Sequence, residues 1–276
     1  MIETGKYNAL TIARETSVGL FLTDGSTDIL LPKKYVPKNY KIGDILTVFV
    51  YLDQEERPVA TTLEPYIILN DFAFLRVSYT NKFGAFLDMG LEKDLFVPFR
   101  EQAKPMEQGK RYMVHMYYDE QSGRLAGSSK IGRFLDNEEL TVTEGEEVNL
   151  TISHITDMGI NVIINGRHKG LVYKDEVYHD LRPGEKMKGF IKTIRPDNKI
   201  DVRMQKSGVE GIEPNAERIL AELNASRGFL RLNDDSHPED IKTVLQMSKK
   251  AFKKAIGSLY KQRLIDIMED GIYLID

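Results

Sequence analysis

The chain has 276 residues, 41% hydrophobic and 29% charged, which suits two to four globular domains and excludes wholesale disorder. It contains no cysteine, which excludes disulfides, thiolate metal sites and cysteine nucleophiles, and no run of about 18 apolar residues offers a membrane span. The net charge of −4 argues globally against nucleic acid, but phosphate binding depends on clustered Lys and Arg, so charge is read segment by segment. "MIETGKYNAL" lacks the charged-then-apolar layout of a signal peptide, and a cytoplasmic location is expected.

In chain order, three related units come first. Each opens on a glycine stretch: "TSVGLFLTDG" around Gly19, "NKFGAFLDMG" around Gly84 and "TDMGINVIIN" around Gly159. A second glycine follows at a fixed distance: Pro32 to Gly43, Pro98 to Gly109 and Tyr173 to Gly184 each span 11 positions. After it comes an alternating run, "ILTVFVYLD", "RYMVHMYYD" or "KMKGFIKTI", the pattern of a half-buried strand entered through a turn. "PVATT", "RLAGSSK" and "KIDVRMQ" supply a last strand. Five short strands in about 65 residues, with a brief helix or turn before the second glycine, predict a small Greek-key barrel of the OB class. The third unit diverges most.

From about residue 212 the period changes. Ala216, Ile219, Leu220 and Leu223 predict an amphipathic helix opened by Pro214. "GFLRL" (228–232) reads as a short strand. Ser236 and Glu239 read as a capping box for a second helix with Ile241, Val244 and Leu245 buried. After the break "QMS", residues 249–263 predict a third helix burying Phe252, Ala255, Ile256 and Leu259. "LIDIMEDGIYLI" reads as a hairpin. This order is that of a winged helix. The expected architecture is therefore mainly β: three consecutive OB barrels (1–64, 65–138, 139–208) and a C-terminal α+β winged helix (209–276).

"KFGAFLDMG…LFVPFRE…DEQSGRLAGSSK" resembles the S1-type RNA-binding domain, and the whole order of modules resembles the bacterial conserved virulence factor B family. Phe83 and Phe86 have two readings, barrel core or an outer platform for unpaired bases, and the resemblance implies the platform. It also implies roles for Asp119 and Arg124, which match the family's late acidic and basic positions. In the first unit Phe21 matches Phe86, Val18 stands where Phe83 does, and Asp53 and Arg57 hold the late polar positions. In the third, Met158 and Asn161 replace both aromatics, so the platform does not carry over.

Charge collects where aromatics are missing. Residues 160–208 hold eleven Lys or Arg, Lys206 among them, against six acids, Asp175, Glu176, Asp180, Glu185, Asp197 and Asp201. Lys186, Lys188 and Lys192, with Arg195 beyond them, read as a phosphate track or as a solvated sheet face. The third helix carries Lys249, Lys250, Lys253 and Lys254 and no acid. It suits RNA backbone or a protein-docking face better than base-specific DNA readout, because it has few side chains fitted to base edges.

Catalytic signatures are absent. His115, His154, His168, His179 and His237 lack metal-ligand spacing, and His154 and His168 read as polar surface. There is no nucleophile elbow or nucleotide-binding motif. The expectation is a non-catalytic, cofactor-free protein that binds single-stranded RNA, and the resemblance implies post-transcriptional control. The rivals are a winged-helix regulator binding duplex DNA and an adaptor whose winged helix docks a protein.

Overall fold

In the computed structural model, residues 1–174, 181–204, 214–261 and 263–275 are described. The chain divides into two compact units, Met1–Met204 and Gln205–Asp276. The junction expected at 208/209, together with Asp175, Glu176, His179, Asp180 and Lys206, lies outside the described residues.

The first unit holds three barrels of one topology. The first comprises β1 (Tyr7–Thr16), β2 (Gly19–Thr23), β3 (Asp28–Pro32), β4 (Ile45–Leu52) and β5 (Pro58–Thr61), closed in the order β1-β2-β3-β5-β4. The second comprises β6 (Phe72–Thr80), β7 (Gly84–Leu87), β8 (Leu95–Pro98), β9 (Arg111–Asp119) and β10 (Arg124–Ser128). Its hydrogen-bonded order, β10-β9-β6-β7-β8, is the same ring opened between β8 and β10. The third comprises β11 (Glu147–Ile155), β12 (Gly159–Ile164), β13 (His168–Tyr173), β14 (Lys186–Ile194) and β15 (Ile200–Arg203), and it closes like the first. Alternation places Leu10, Ile12, Leu20 and Leu22 in the first core, and Leu75, Val77, Ala85 and Leu87 in the second.

The recurring glycines have two physical causes. Gly19, Gly84 and Gly159 begin β2, β7 and β12, where the neighbouring strand passes too close for a side chain. A Cβ there would lie 2.1 Å from the Leu31 oxygen, 2.3 Å from that of Val97 and 2.3 Å from that of Val172. Gly43, Gly109 and Gly184 instead take positive φ (96°, 82° and 88°), which glycine adopts without penalty. Each turn then clasps the first strand of its barrel. Gly43 N–H donates to the Ile12 carbonyl (2.8 Å) and Ile12 N–H to that of Asp44 (2.8 Å). Val77 is clasped by Gly109 and Lys110 (2.9 and 2.9 Å), and Ile152 by Gly184 and Glu185 (2.8 and 2.9 Å). The first-strand ladder slips just beyond each clasped residue, at Ile12/Arg14, Val77/Tyr79 and Ile152/His154. These are β-bulges, and a bulge re-aims the side chain that follows it.

The barrels pack on one another. Phe49, Tyr51 and Val59 of the first cluster with Ile68 and Leu91 of the second. Phe72 and Met113 of the second cluster with Ile163 of the third and with Phe134 of the connecting segment. His168 is fully buried, contrary to the surface expected for it, because that segment folds over it. Its Nε2 accepts from Thr141 N–H (3.2 Å), and its Nδ1 meets the Asp136 carbonyl.

The second unit has α1 (Pro214–Ala225), β16 (Phe229–Leu230), α2 (Pro238–Leu245), α3 (Lys249–Lys261), β17 (Ile265–Met268) and β18 (Gly271–Leu274). Its core takes in Ala216, Ile219, Leu223, Phe252, Ala255, Ile256 and Leu259, as the periodicity predicts. Several expectations are corrected. The cap of α2 is His237, whose side chain accepts from Glu239 N–H, because Pro238 opens the helix and holds the preceding residue extended. Ser236 is engaged instead by Asn233 N–H (2.8 Å). Val244 is exposed, since α2 turns only Ile241 and Leu245 inward. The strand expected over 228–232 spans Phe229–Leu230, and the third helix ends at Lys261 with Arg263 at positive φ. Among the described residues no helix is long and apolar enough to cross a membrane.

His115 generates a pH prediction. Its ring is stacked at 4.0 Å on Phe134 and tilted at 4.6 Å on Phe72, and no partner meets its Nδ1 among the described residues. Burial is the chief cause that lowers its pKa from 6.5 to about 4. Below pH about 6.5 the unfolded chain takes up a proton that the folded chain refuses until about pH 4. Stability is expected to fall across that window by roughly 3 kcal/mol at most. His115→Phe should remove this share of the decline, as measured by urea unfolding at stepped pH.

Candidate nucleic-acid interface

The bulge of the second barrel builds a platform. Leu75 and Val77 point into the core; beyond the slip, Tyr79 stands on the outer face, paired across the ladder with Phe86, which is paired with Phe96. The three rings form a continuous row. Tyr79 and Phe86 stack at 4.5 Å with 9° between planes, and Phe86 and Phe96 meet at 5.0 Å. Phe83 adds a fourth ring, 61% exposed, in the loop before β7, where its N–H donates to Asn81 Oδ1 (2.8 Å). Phe83 and Phe86 are thus outer-face residues, while Ala85 and Leu87 fill the core. Four aromatic rings on one outer face, two exposed and two half-buried, offer what a flat, unpaired base requires.

This row lies in a groove of about 910 Å³ lined by the first two barrels. The groove brings together Phe83, Phe86, Asp119 and Arg124, the residues that the sequence singles out. Arg124 Nε lies 3.3 Å from Glu56 of the first barrel, which also holds Lys93 at 3.0 Å. Asp119 accepts from Ser122 Oγ (2.7 Å) and lies 3.6 Å from Arg100. Asp94, also in the lining, accepts from Ser78 Oγ (3.1 Å), and burial is the main cause that raises its pKa. Tyr79, Phe96 and Arg100 are additions that sequence reasoning missed. The signal for Tyr79 was the bulge, which shifts its facing relative to simple alternation.

The same lattice positions carry other chemistry in the other barrels. Opposite Phe21 stands Arg14, whose guanidinium lies 4.2 Å over the ring and pairs with Asp28. Arg57 is forked onto Asp53 (Nε 3.0 Å, Nη2 2.8 Å) and also reaches Glu55 (3.0 Å). In the third barrel His154 faces Asn161, and Met158 is 72% exposed. Lys186 and Lys188 do share a face, but Lys186 is paired with Asp71 of the second barrel (3.1 Å) and Lys188 with Glu147 (3.5 Å). Lys192 stands exposed at the bulge between Ile191 and Thr193. Arg195 is clasped by Asp201 (2.9 Å) and the Tyr173 hydroxyl.

On α3 the lysines point away from the core. Lys250, Lys253 and Lys254 are exposed, Lys253 lies 4.0 Å from Asp234, and Lys249 Nζ donates to the Asp235 carbonyl (3.3 Å). The hairpin tip is Glu269–Asp270, with Asp270 accepting from the Tyr273 hydroxyl (2.7 Å). Among the described residues no three His, Cys, Asp or Glu side chains gather as metal ligands.

Comparison with known proteins finds two family models and several relatives. Residues 4–63 match an S1 domain model, and residues 217–274 match a CvfB-like winged helix domain model. A Bacillus subtilis protein, YitL, is 27% identical over 93% of this chain and 89% of its own. Conserved virulence factor B of Staphylococcus epidermidis is 26% identical over 86% of this chain and 82% of its own. A solved structure of a multidomain protein with nucleic acid binding domains from Streptococcus pneumoniae aligns with 99% of this chain and 98% of its own, at 24% identity and a TM-score of 0.41. The family models and the relatives bear out the resemblance to the conserved virulence factor B family.

The outer-face position of the rings has a measurable signature. Phe83→Ala is expected to shift unfolding free energy by less than about 0.5 kcal/mol, as surface changes do. Leu87→Ala, one residue beyond Phe86 but in the core, should cost about 2–5 kcal/mol. Urea titration of the two variants beside the parent protein checks the contrast.

Proposed function

We propose that the protein binds single-stranded RNA through several modules, without catalysing a reaction, and acts in the cytoplasm in post-transcriptional control of gene expression. The modules are taken as 1–64, 65–138, 139–208 and 209–276. The observation that carries the reading is the outer-face row Tyr79–Phe86–Phe96 on the second barrel, exposed at Tyr79 and half-buried at the two phenylalanines, with the exposed Phe83 beside it. Each stacked base is worth roughly 1–3 kcal/mol with little base preference. Duplex nucleic acid keeps its bases stacked on one another and cannot offer their faces to this row. Phe83, Phe86, Asp119 and Arg124 form the main contact. Phe21 and Arg57 offer a weaker one, since Arg14 already covers Phe21. Lys186, Lys188, Lys192 and Arg195, with Lys249, Lys250, Lys253 and Lys254, supply phosphate contacts. Modules tied in one chain raise one another's effective concentration, so several weak contacts sum to useful affinity. The name of the staphylococcal relatives supports a role in virulence-gene control.

The basic α3 favours a second reading, duplex DNA bound through the winged helix. Its exposed side chains are mostly lysines, and the Glu269–Asp270 tip would meet phosphates. Both features weigh against it.

Titration of labelled unstructured RNA of about ten nucleotides or more, beside duplex DNA and over a salt series, tests the reading. Tighter RNA binding that weakens steeply with salt is expected. Tyr79→Ala combined with Phe86→Ala should cost about 1–3 kcal/mol per stacked base lost. Tighter binding of duplex DNA under the same conditions would replace this reading with the second.

A further inference from the structure

Two arginines of the second barrel face each other across a strand ladder. Arg76 on β6 and Arg111 on β9 are direct Cα partners in the antiparallel ladder, and both are exposed. Like charges placed directly opposite destabilise a strand pair. The other barrels avoid this arrangement at the same ladder position, where Thr11 faces Ile45 and Thr151 faces Lys186. Among the described residues, neither guanidinium has a carboxylate within ion-pairing distance.

The pair lines a cleft of about 450 Å³ where the second and third barrels meet. The cleft has a fixed wall. The third barrel's glycine turn rests on β6 so closely that a Cβ on Gly184 would lie 2.4 Å from that of Phe74. Lys186 lines the same cleft and is anchored to Asp71 at 3.1 Å, which ties the two barrels across it. The carboxylate in the lining is Asp88, and it accepts from Gly90 N–H (2.9 Å). The two arginines therefore face a cavity whose one lining carboxylate is held by a backbone N–H, beside Lys186, which is already paired with Asp71. A phosphate group suits such a site, because a guanidinium fork matches its oxygens and an anion between two cations turns their repulsion into attraction.

We propose that the Arg76–Arg111 cleft holds a phosphodiester group of the same single strand whose bases stack on Tyr79, Phe86 and Phe96. This rests on the RNA-binding reading above. The two sites share β6: Arg76 and Tyr79 both face outward and lie three residues apart, about 10 Å at the rise of a strand. Aromatic row and arginine pair then divide the labour, stacking on one side of the bulge and charge on the other.

The test compares the full-length protein with R76Q/R111Q, using labelled unstructured RNA of about twelve nucleotides over a salt series. The variant is expected to bind about tenfold more weakly at low salt. The slope of log affinity against log salt should shrink by about 0.7, the share of one single-strand phosphate. Its melting temperature should hold or rise, because the repulsion is gone. Y79A/F86A should lose affinity while keeping the parental slope. R76Q/R111Q with parental affinity and slope would overturn the inference and leave the RNA-binding reading standing. So would an equal loss in K38Q/K41Q, which removes two exposed cations of the first barrel. A lower melting temperature would also overturn it, by showing the pair to support the barrel. A parent protein that binds no single-stranded RNA would instead remove the reading on which the inference rests.

Discussion

Each barrel depends on one reciprocal pair of hydrogen bonds. A glycine turn in the left-handed region reaches back to the first strand and closes both polar groups of Ile12, Val77 or Ile152. The clasped residue marks the point at which the ladder slips. Without the slip, strict alternation would carry every second side chain to the same face along the whole strand. With it, the residue two places on is turned outward opposite the outer-face residue of the next strand. The aromatic row of the second barrel is thus a consequence of backbone geometry set some thirty residues downstream, at Gly109. A side chain with a Cβ could reach that φ only with strain.

The frame is shared and the surfaces differ. At one ladder position the three barrels place Arg14 on Phe21, Tyr79 on Phe86, and His154 by Asn161. The first face is occupied by its own guanidinium, the second is open, and the third has no ring on β12. Three barrels of one fold present outer faces of distinct chemistry, and among the described residues only the second combines an open aromatic row with an unneutralised pair of arginines. That concentration of features is why the second barrel carries the functional argument, although it is the first barrel and the winged helix that match family models.

Much of this was legible in the sequence. Recurrent glycines at constant spacing, followed by alternating runs, identify the barrels because both the close approaches and the left-handed turns admit little else. Phe252, Ala255, Ile256 and Leu259 identify α3 because an apolar stripe at helical spacing has one way to be buried. The features that are not legible there depend on long-range pairing. Tyr79 is informative only once its partner Phe86 is known, and Arg76 looks like any surface arginine until Arg111 stands opposite. The lysines of β14 were visible as a cluster, but their acidic partners Asp71 and Glu147 are far away in sequence. Ser236 has the residue type of a helix cap, but Pro238 governs the backbone and makes His237 the cap.

The junctions between the barrels have a consequence for how the protein comes apart. Phe49 and Phe72 are among the largest fully buried side chains, and each belongs to a small cluster shared by two barrels. A barrel cut out alone would expose such a ring together with its neighbours, an apolar patch that invites aggregation. The barrels are therefore coupled energetically: opening one strips cover from the next. Residues 1–204 should behave as a single cooperative foldon in native-state hydrogen exchange, while the winged helix, with its own core, keeps a separate opening free energy. Three repeats that look like independent beads in the sequence are, thermodynamically, one object.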